Sequence, residues 1–276
     1  MTSSNPEVGL SLKAGGIKTN YHDIGQGSPL ILLHGSGPGV TGWANWRLVM
    51  PTFSKTSRVL VPDIVGFGYT ERPSGITYSM ETWLQHTLDF MDALDVESVD
   101  LVGNSFGGAV ALAFAIKNPE RVGRLVLMGS VGLDFEITKA LDLIWGYSPS
   151  VENMRSMMTY FAYDQNLIND ELAQMRYEAS IRPDVQEAYA AMFPKPRQRW
   201  IASLASDEND IKRIGHETLI IHGREDRVIP LSNSYRLFEL IPNAQLHVFG
   251  NCGHWTQIEH SDRFARLVLD FLSEAD

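Results

Sequence analysis

Residues 99–113 read Val99-Asp-Leu-Val-Gly103-Asn-Ser105-Phe-Gly107-Gly-Ala-Val-Ala-Leu-Ala113. A short apolar run leads into a serine flanked by glycines, and an alanine-rich helical stretch follows. This is Gly-x-Ser-x-Gly in a strand–turn–helix setting, which lifts a serine hydroxyl above a sheet on a sharp turn. Gly103 and Gly107 stand where a Cβ would collide with the turn or with the neighbouring helix and strand. Gly108, Ala109, Ala111 and Ala113 keep the helix slim enough to lie close on the sheet. Ser105 is therefore the candidate nucleophile.

Around this turn, short apolar runs alternate with helical patterns, which predicts an α/β protein with a mostly parallel eight-stranded sheet flanked by helices. The expected strands cover residues 9–13, 18–23, 30–33, 58–62, 98–102, 124–128, 218–222 and 245–249. Helices are expected at 80–94, 105–118, 232–240 and 260–272. The rhythm breaks at 134–205, where strand-like runs give way to helices. Ser150 and Asn169 are start signals for helices at 151–161 and 170–181, and a third, 183–193, closes before Pro194 and Pro196. Met154, Met157, Met158, Met175 and Met192 fall in this block, with many aromatic residues. Such a composition suits a helical cap over an apolar pocket. The expected division is a core of 1–133 and 206–276 with a cap at 134–205.

The chain has 276 residues, 44% hydrophobic and 20% charged, with a formal charge of −10. That is long enough for one large domain with an insertion. The negative balance argues against nucleic acid and anionic membrane as partners. No stretch reaches the roughly 18 apolar residues of a membrane span. The one cysteine, Cys252, fits a reducing compartment, so a cytoplasmic location is expected. No His, Cys and Asp cluster has metal-ligand spacing, and no cofactor is implied.

Ser105 needs an imidazole and a carboxylate. Of eight histidines, His254 stands in Asn251-Cys-Gly-His-Trp255, a loop after the last expected strand. Loops at the top of a sheet are where an α/β fold collects functional groups. The carboxylate is Asp226, in the loop following the strand that ends at His222, with Glu225 and Asp63 as rivals. Chain order Ser105, Asp226, His254 follows the nucleophile-elbow pattern. The oxyanion donors should be the backbone N–H of Phe106, at a helix N-terminus, and of Ser36, in His34-Gly-Ser-Gly-Pro-Gly39. That loop lacks the Gly-Lys-Ser/Thr ending of a phosphate cradle.

With these residues placed, the chain resembles the α/β-hydrolase superfamily over its whole length. More narrowly it is similar to the meta-cleavage product hydrolases, the 2-hydroxymuconic semialdehyde hydrolase group. The carrying segments are residues 34–46, 103–108, 180–183 and 253–255. The resemblance implies cleavage of a carbon–carbon bond in 2-hydroxy-6-oxohexa-2,4-dienoates, giving 2-hydroxypenta-2,4-dienoate and a carboxylic acid. It implies Asn45, Asn104, Arg182 and Trp255 around the dienoate end of a small anionic substrate, and a homodimer. Arginine suits bidentate carboxylate binding in a protein of net negative charge. Ser36 stands where relatives acting on bulkier substrates often carry Gly, which hints at hydrogen or a short alkyl group on C6. Two rival readings are a carboxylesterase or lactonase on the same scaffold, and a non-catalytic receptor for a small ligand.

Overall fold

The structure is a computed structural model and describes residues 5–274. Its eight strands are β1 (Leu10–Ala14), β2 (Ile17–Ile24), β3 (Ser28–Leu33), β4 (Ser57–Pro62), β5 (Val99–Asn104), β6 (Val122–Met128), β7 (Thr218–Gly223) and β8 (Ala244–Phe249). All eight lie within two residues of the expected positions. They form one sheet in the order β1-β2-β4-β3-β5-β6-β7-β8. Only β2 runs against its neighbours; the pairs from β4 to β8 are parallel.

The central strands are near-continuous apolar runs because helices cover both faces of a parallel sheet. Along β3 the alternation is explicit: Ile31 and Leu33 enter one core, Leu30 and Leu32 the other. On the second face the helix Ser261–Ser273 buries Phe264, Ala265, Val268 and Phe271, the spacing of one helical stripe. The helix Phe106–Lys117 differs, with ten buried residues from Phe106 to Ala115. Up to Ala115 it is enclosed on every side, which its small residues permit.

Between β6 and β7 the described residues form helices and no strand. Val151–Phe161 matches its expected bounds, with the Ser150 hydroxyl accepting from Asn153 N at 2.9 Å. Asp170–Ser180 begins where Asn169 Oδ1 accepts from Leu172 N at 2.8 Å. The third expected helix starts later, at Val185. Lys139–Trp145 and Gln198–Leu204 were not anticipated. At seven residues each, they are too short to display a helical period above noise. The two ends of the segment meet where Ser206 N donates to Gly132 O at 2.9 Å.

Two histidines are structural. His34 Nε2 accepts from Ile64 N at 3.0 Å while Nδ1 faces Gly35 O at 2.8 Å. Protonation at Nε2 would set two donors against each other. Burial pushes His34 down to about 4, and burial with the His34 charge does the same to His86. Between pH 6.5 and 4 the folded chain thus binds fewer protons at these sites than the unfolded chain. Asp63, pushed up to about 6 by burial, and Asp100, also raised by burial, oppose this, while His22 and His247, both lowered by burial, add to it. The thermal midpoint should therefore fall as pH drops from 6.5 to 4.5, and His86→Gln should flatten the slope. A midpoint that holds or rises over that range would contradict the assignment.

Candidate active site

Ser105 sits between β5 and the helix Phe106–Lys117 with φ 55° and ψ −112°. A non-glycine residue in that region costs about 1–3 kcal/mol and persists only where its surroundings hold it. Here the surroundings are close-packed backbone. A Cβ on Gly103 would lie 2.4 Å from Gly107 O, and one on Gly107 would lie 2.4 Å from Leu33 O. Ser105 N donates to Met128 O at 2.9 Å, and Ser105 O accepts from Val131 N at 3.1 Å. The end of strand β6 and the loop after it thereby clamp both sides of the strained residue.

Asp226 and His254 come from loops after β7 and β8. His254 Nδ1 lies 2.7 Å from Asp226 Oδ2. Asp226 Oδ1 accepts from Val228 N at 2.7 Å and Ile229 N at 3.0 Å. Burial opposes ionisation of Asp226, but the His254 charge and the bonds from His222 and His254 outweigh it, holding the carboxyl well below the usual range. The carboxylate can thus fix the imidazole tautomer and stabilise an imidazolium. Glu225, the rival, is occupied elsewhere, accepting from Cys252 N at 3.0 Å. Asp63 organises the following turn, accepting from Tyr69 N at 2.8 Å. Cys252 is buried, and burial pushes its thiol up to about 12.

Sequence reasoning missed His222 as a partner of the site. This fully buried residue at the end of β7 places Nε2 3.3 Å from Asp226 Oδ2, the oxygen that His254 also uses. Its Nδ1 lies 2.7 Å from Ser234 Oγ and its Nε2 3.1 Å from Ile229 O. The four-residue spacing to Asp226 was visible, but a strand histidine reads as core until the loop is seen to fold back.

Ser105, His254, Ser36, Asn45, Asn104 and Trp255 all line one cavity of about 280 Å³. No hydrogen bond joins the Ser105 hydroxyl to His254 among the described residues; such contacts often tighten only with substrate in place. The Phe106 amide opens the helix at the elbow, where the dipole favours negative charge. Ser36 Oγ accepts from Trp145 Nε1 at 3.0 Å, tying the glycine-rich loop to the helix Lys139–Trp145. Asn104 Nδ2 donates to Met128 O at 3.3 Å. Asn45 Oδ1 accepts from Gly35 N at 3.4 Å, while its Nδ2 is buried without a partner. The loop bearing His254 is fastened to the helical segment: Phe161 O accepts from His254 N at 2.6 Å and Trp255 N at 3.1 Å. The Trp255 and Phe161 rings stack 5.0 Å apart.

The expectation for Arg182 requires correction. It is not among the cavity-lining residues. Its guanidinium lies 3.8 Å over the Tyr69 ring and donates to Ala179 O at 3.0 Å and Gly68 O at 3.2 Å. Arg182 follows the end of the helix Asp170–Ser180, so the helix no longer dictates its direction. Arg176, within that helix, does line the cavity, as does Arg47. Arg176 stands one turn after Leu172, which lines the same wall, but only the packing of the helix shows that this face meets the cavity.

Replacing His222 by Leu should leave Asp226 with one imidazole partner in place of two. Loss of a hydrogen bond to a buried charge predicts a kcat about tenfold lower with little change in KM. Steady-state hydrolysis of a chromogenic aryl ester reads this, and an unchanged kcat would contradict the role.

Comparison with known proteins bears on this geometry. Residues 28–261 match the family model described as alpha/beta hydrolase fold. A "2-hydroxy-6-oxo-2,4-heptadienoate hydrolase" from Pseudomonas putida is 62% identical over 276 residues, covering 100% of both chains. A "2-hydroxymuconate semialdehyde hydrolase" from Pseudomonas sp. (strain CF600) is 60% identical over 273 residues, covering 99% of this chain and 96% of its own. A solved meta-cleavage product hydrolase from Pseudomonas fluorescens IP01 superposes with a TM-score of 0.98 at 58% identity, covering 99% of this chain and 100% of its own. Sequence kinship along the full length and a nearly coincident backbone agree with the serine elbow and its histidine–aspartate pair: this chain belongs to the α/β hydrolase fold family and, within it, to the meta-cleavage product hydrolases.

Proposed function

We propose that this protein hydrolyses the C5–C6 bond of 2-hydroxy-6-oxohexa-2,4-dienoates that carry hydrogen or a short alkyl group on C6. The products are 2-hydroxypenta-2,4-dienoate and a carboxylic acid. The observation that carries this reading is a pair of arginines, Arg176 and Arg47, lining an otherwise largely apolar cavity that also holds Ser105 and His254. An esterase needs the triad but no such cations. A dienoate needs one for its carboxylate, because local charge must overcome the repulsion of a chain of net charge −10.

The chemistry sets two tasks. A carbon leaving group is too basic to depart as a free anion, so the dienol must first ketonise. The 2-hydroxyl proton leaves and C5 gains one, giving a vinylogous 1,5-diketone. Water or the Ser105 hydroxyl then adds at the C6 carbonyl, with the Ser36 and Phe106 amides receiving the developing oxyanion. The C5–C6 bond breaks, and its electron pair moves through C4 and C3 onto the C2 oxygen, which takes up a proton. Where Ser105 has added, water then hydrolyses the acyl-serine to release the acid and restore the hydroxyl. His254 carries the proton in both stages, held by Asp226. Asn45, Asn104 and Trp255 surround the dienoate end, and Arg176 takes the carboxylate role first expected of Arg182.

Residues 134–205 act in this reading as a cap. The side chains of Leu141, Ile144, Met154, Met157, Met158 and Phe161 supply the apolar wall for the C6 group. At about 280 Å³ the cavity falls near the lower end for ligand pockets. This favours small groups, in keeping with the heptadienoate and semialdehyde in the relatives' names. We place the protein in the cytoplasm; among the described residues no helix is long and apolar enough to cross a membrane. A homodimer is supported by exposed Tyr235 and Phe238 on the helix Leu231–Leu240, which packs beside the open edge strand β8.

A panel of dienoates with hydrogen, methyl, isopropyl and phenyl on C6, followed by loss of dienolate absorbance, tests the assignment. Hydrogen and methyl should be turned over fastest, phenyl slowest. Arg176→Gln should raise KM for the methyl compound by about 10- to 100-fold, the worth of a charge-assisted bond to a carboxylate. No turnover of any member would overturn the function.

A further inference from the structure

We propose that Glu7, on the segment before β1, is a positioning residue that aims Arg176 at the substrate carboxylate. This rests on the reading above that Arg176 holds that carboxylate. Glu7 Oε1 accepts from Arg176 Nη1 at 2.8 Å, and Glu7 Oε2 accepts from Thr41 Oγ1 at 3.2 Å. Arg176 Nη2 also donates to Gly39 O. Each terminal nitrogen of the guanidinium thus has one protein partner on a different element. The plane of the fork is set, and its remaining N–H groups stay available for a ligand. An arginine lacking such anchors samples many rotamers, and ordering it would be charged against binding.

Glu7 itself is held from behind. Its N–H donates to Asn5 Oδ1 at 3.0 Å, and its carbonyl accepts from Asn20 Nδ2 at 3.0 Å. Asn20, in β2, also donates to Asp63 Oδ2 at 2.8 Å, and its Oδ1 accepts from Gly9 N at 2.9 Å. Asp63 Oδ1 accepts from Gly42 N at 2.7 Å, at the start of the helix Gly42–Trp46. Thr41 caps that same helix, with its hydroxyl accepting from Ala44 N at 3.0 Å. One network therefore joins the N-terminal segment, the helix bearing Asn45 with Arg47 just beyond its end, and the helix bearing Arg176.

Charge supplies a second role. Arg47 and Arg176 line one cavity and would repel each other without an intervening anion. Burial and the Arg176 charge push the Arg47 guanidinium down, and Glu7 draws it back up. Two guanidiniums against one carboxylate leave a single positive charge, matched to a substrate with one carboxylate. Glu7 is 8% exposed, so its field is little screened by solvent.

The test is a double-mutant cycle. Glu7→Ala and Glu7→Gln are each made alone and with Arg176→Gln, and KM and kcat are measured on 2-hydroxy-6-oxohepta-2,4-dienoate. Glu7→Ala should raise KM about tenfold with kcat within about twofold. Glu7→Gln, which keeps an acceptor for Nη1, should raise KM only about threefold. With Arg176→Gln in place, neither change should move KM further. An unchanged KM in Glu7→Ala, or an equal rise with and without Arg176, would overturn the proposal, since a purely structural role would be additive. Should Glu7→Ala fail to fold, the same cycle with Glu7→Gln decides. Arg176→Gln with unaltered KM would instead overturn the carboxylate reading, and this proposal with it.

Discussion

The rest of the structure depends on the backbone contact between β5 and the helix that follows it. With Gly103 and Gly107 in near van der Waals contact, the chain reverses in too little space for ordinary dihedral angles, and Ser105 takes the strained ones. The strain persists because the end of β6 bonds to the Ser105 N–H and Val131, just past that strand, bonds to its carbonyl, and because the helix behind it is buried from Phe106 to Ala115. In consequence a hydroxyl and a helix N-terminus arrive together at the carboxyl edge of a parallel sheet. Loops after β3, β7 and β8 open at that same edge, which is why the remaining groups can reach it.

Electrostatics then separates two regions of one cavity. Near Ser105, Asp226 is buried beneath two imidazoles and ionised by their combined effect, so His254 has a fixed orientation. Elsewhere the wall of this largely apolar cavity carries Arg47 and Arg176 together with apolar residues of the helical segment. Water is a poor competitor in such surroundings, so hydrogen bonds to a bound anion gain strength there.

The helical segment is more than a cover. It contributes Trp145 to the Ser36 hydroxyl and the Phe161 carbonyl to the His254 loop, and Arg176 points from it to Glu7 and Gly39. Each bond ties the segment to a loop or terminal stretch outside it that lies at or beside the Ser105 cavity. Movement of the segment would therefore disturb the glycine-rich loop bearing Ser36, the His254 imidazole and the Arg176 guanidinium together.

All eight strands, the elbow and the residues Ser105, Asp226 and His254 were legible in the amino-acid sequence. Strand periodicity, glycine placement and chain order are local signals, and each arises from the sterics of a few neighbouring residues. Arg176, Glu7 and His222 were not legible, and Arg182 was misplaced. Arg176 and Arg182 are both arginines near one helix end, and only the packing of that helix against Gly39 decides which guanidinium enters the cavity. Glu7 meets Arg176 across 169 positions of chain, a distance that no local pattern encodes. What sequence alone determined was the set of groups that covalent geometry and short-range sterics place; which long, flexible side chains join them was decided by tertiary packing, because their direction depends on partners remote in the chain.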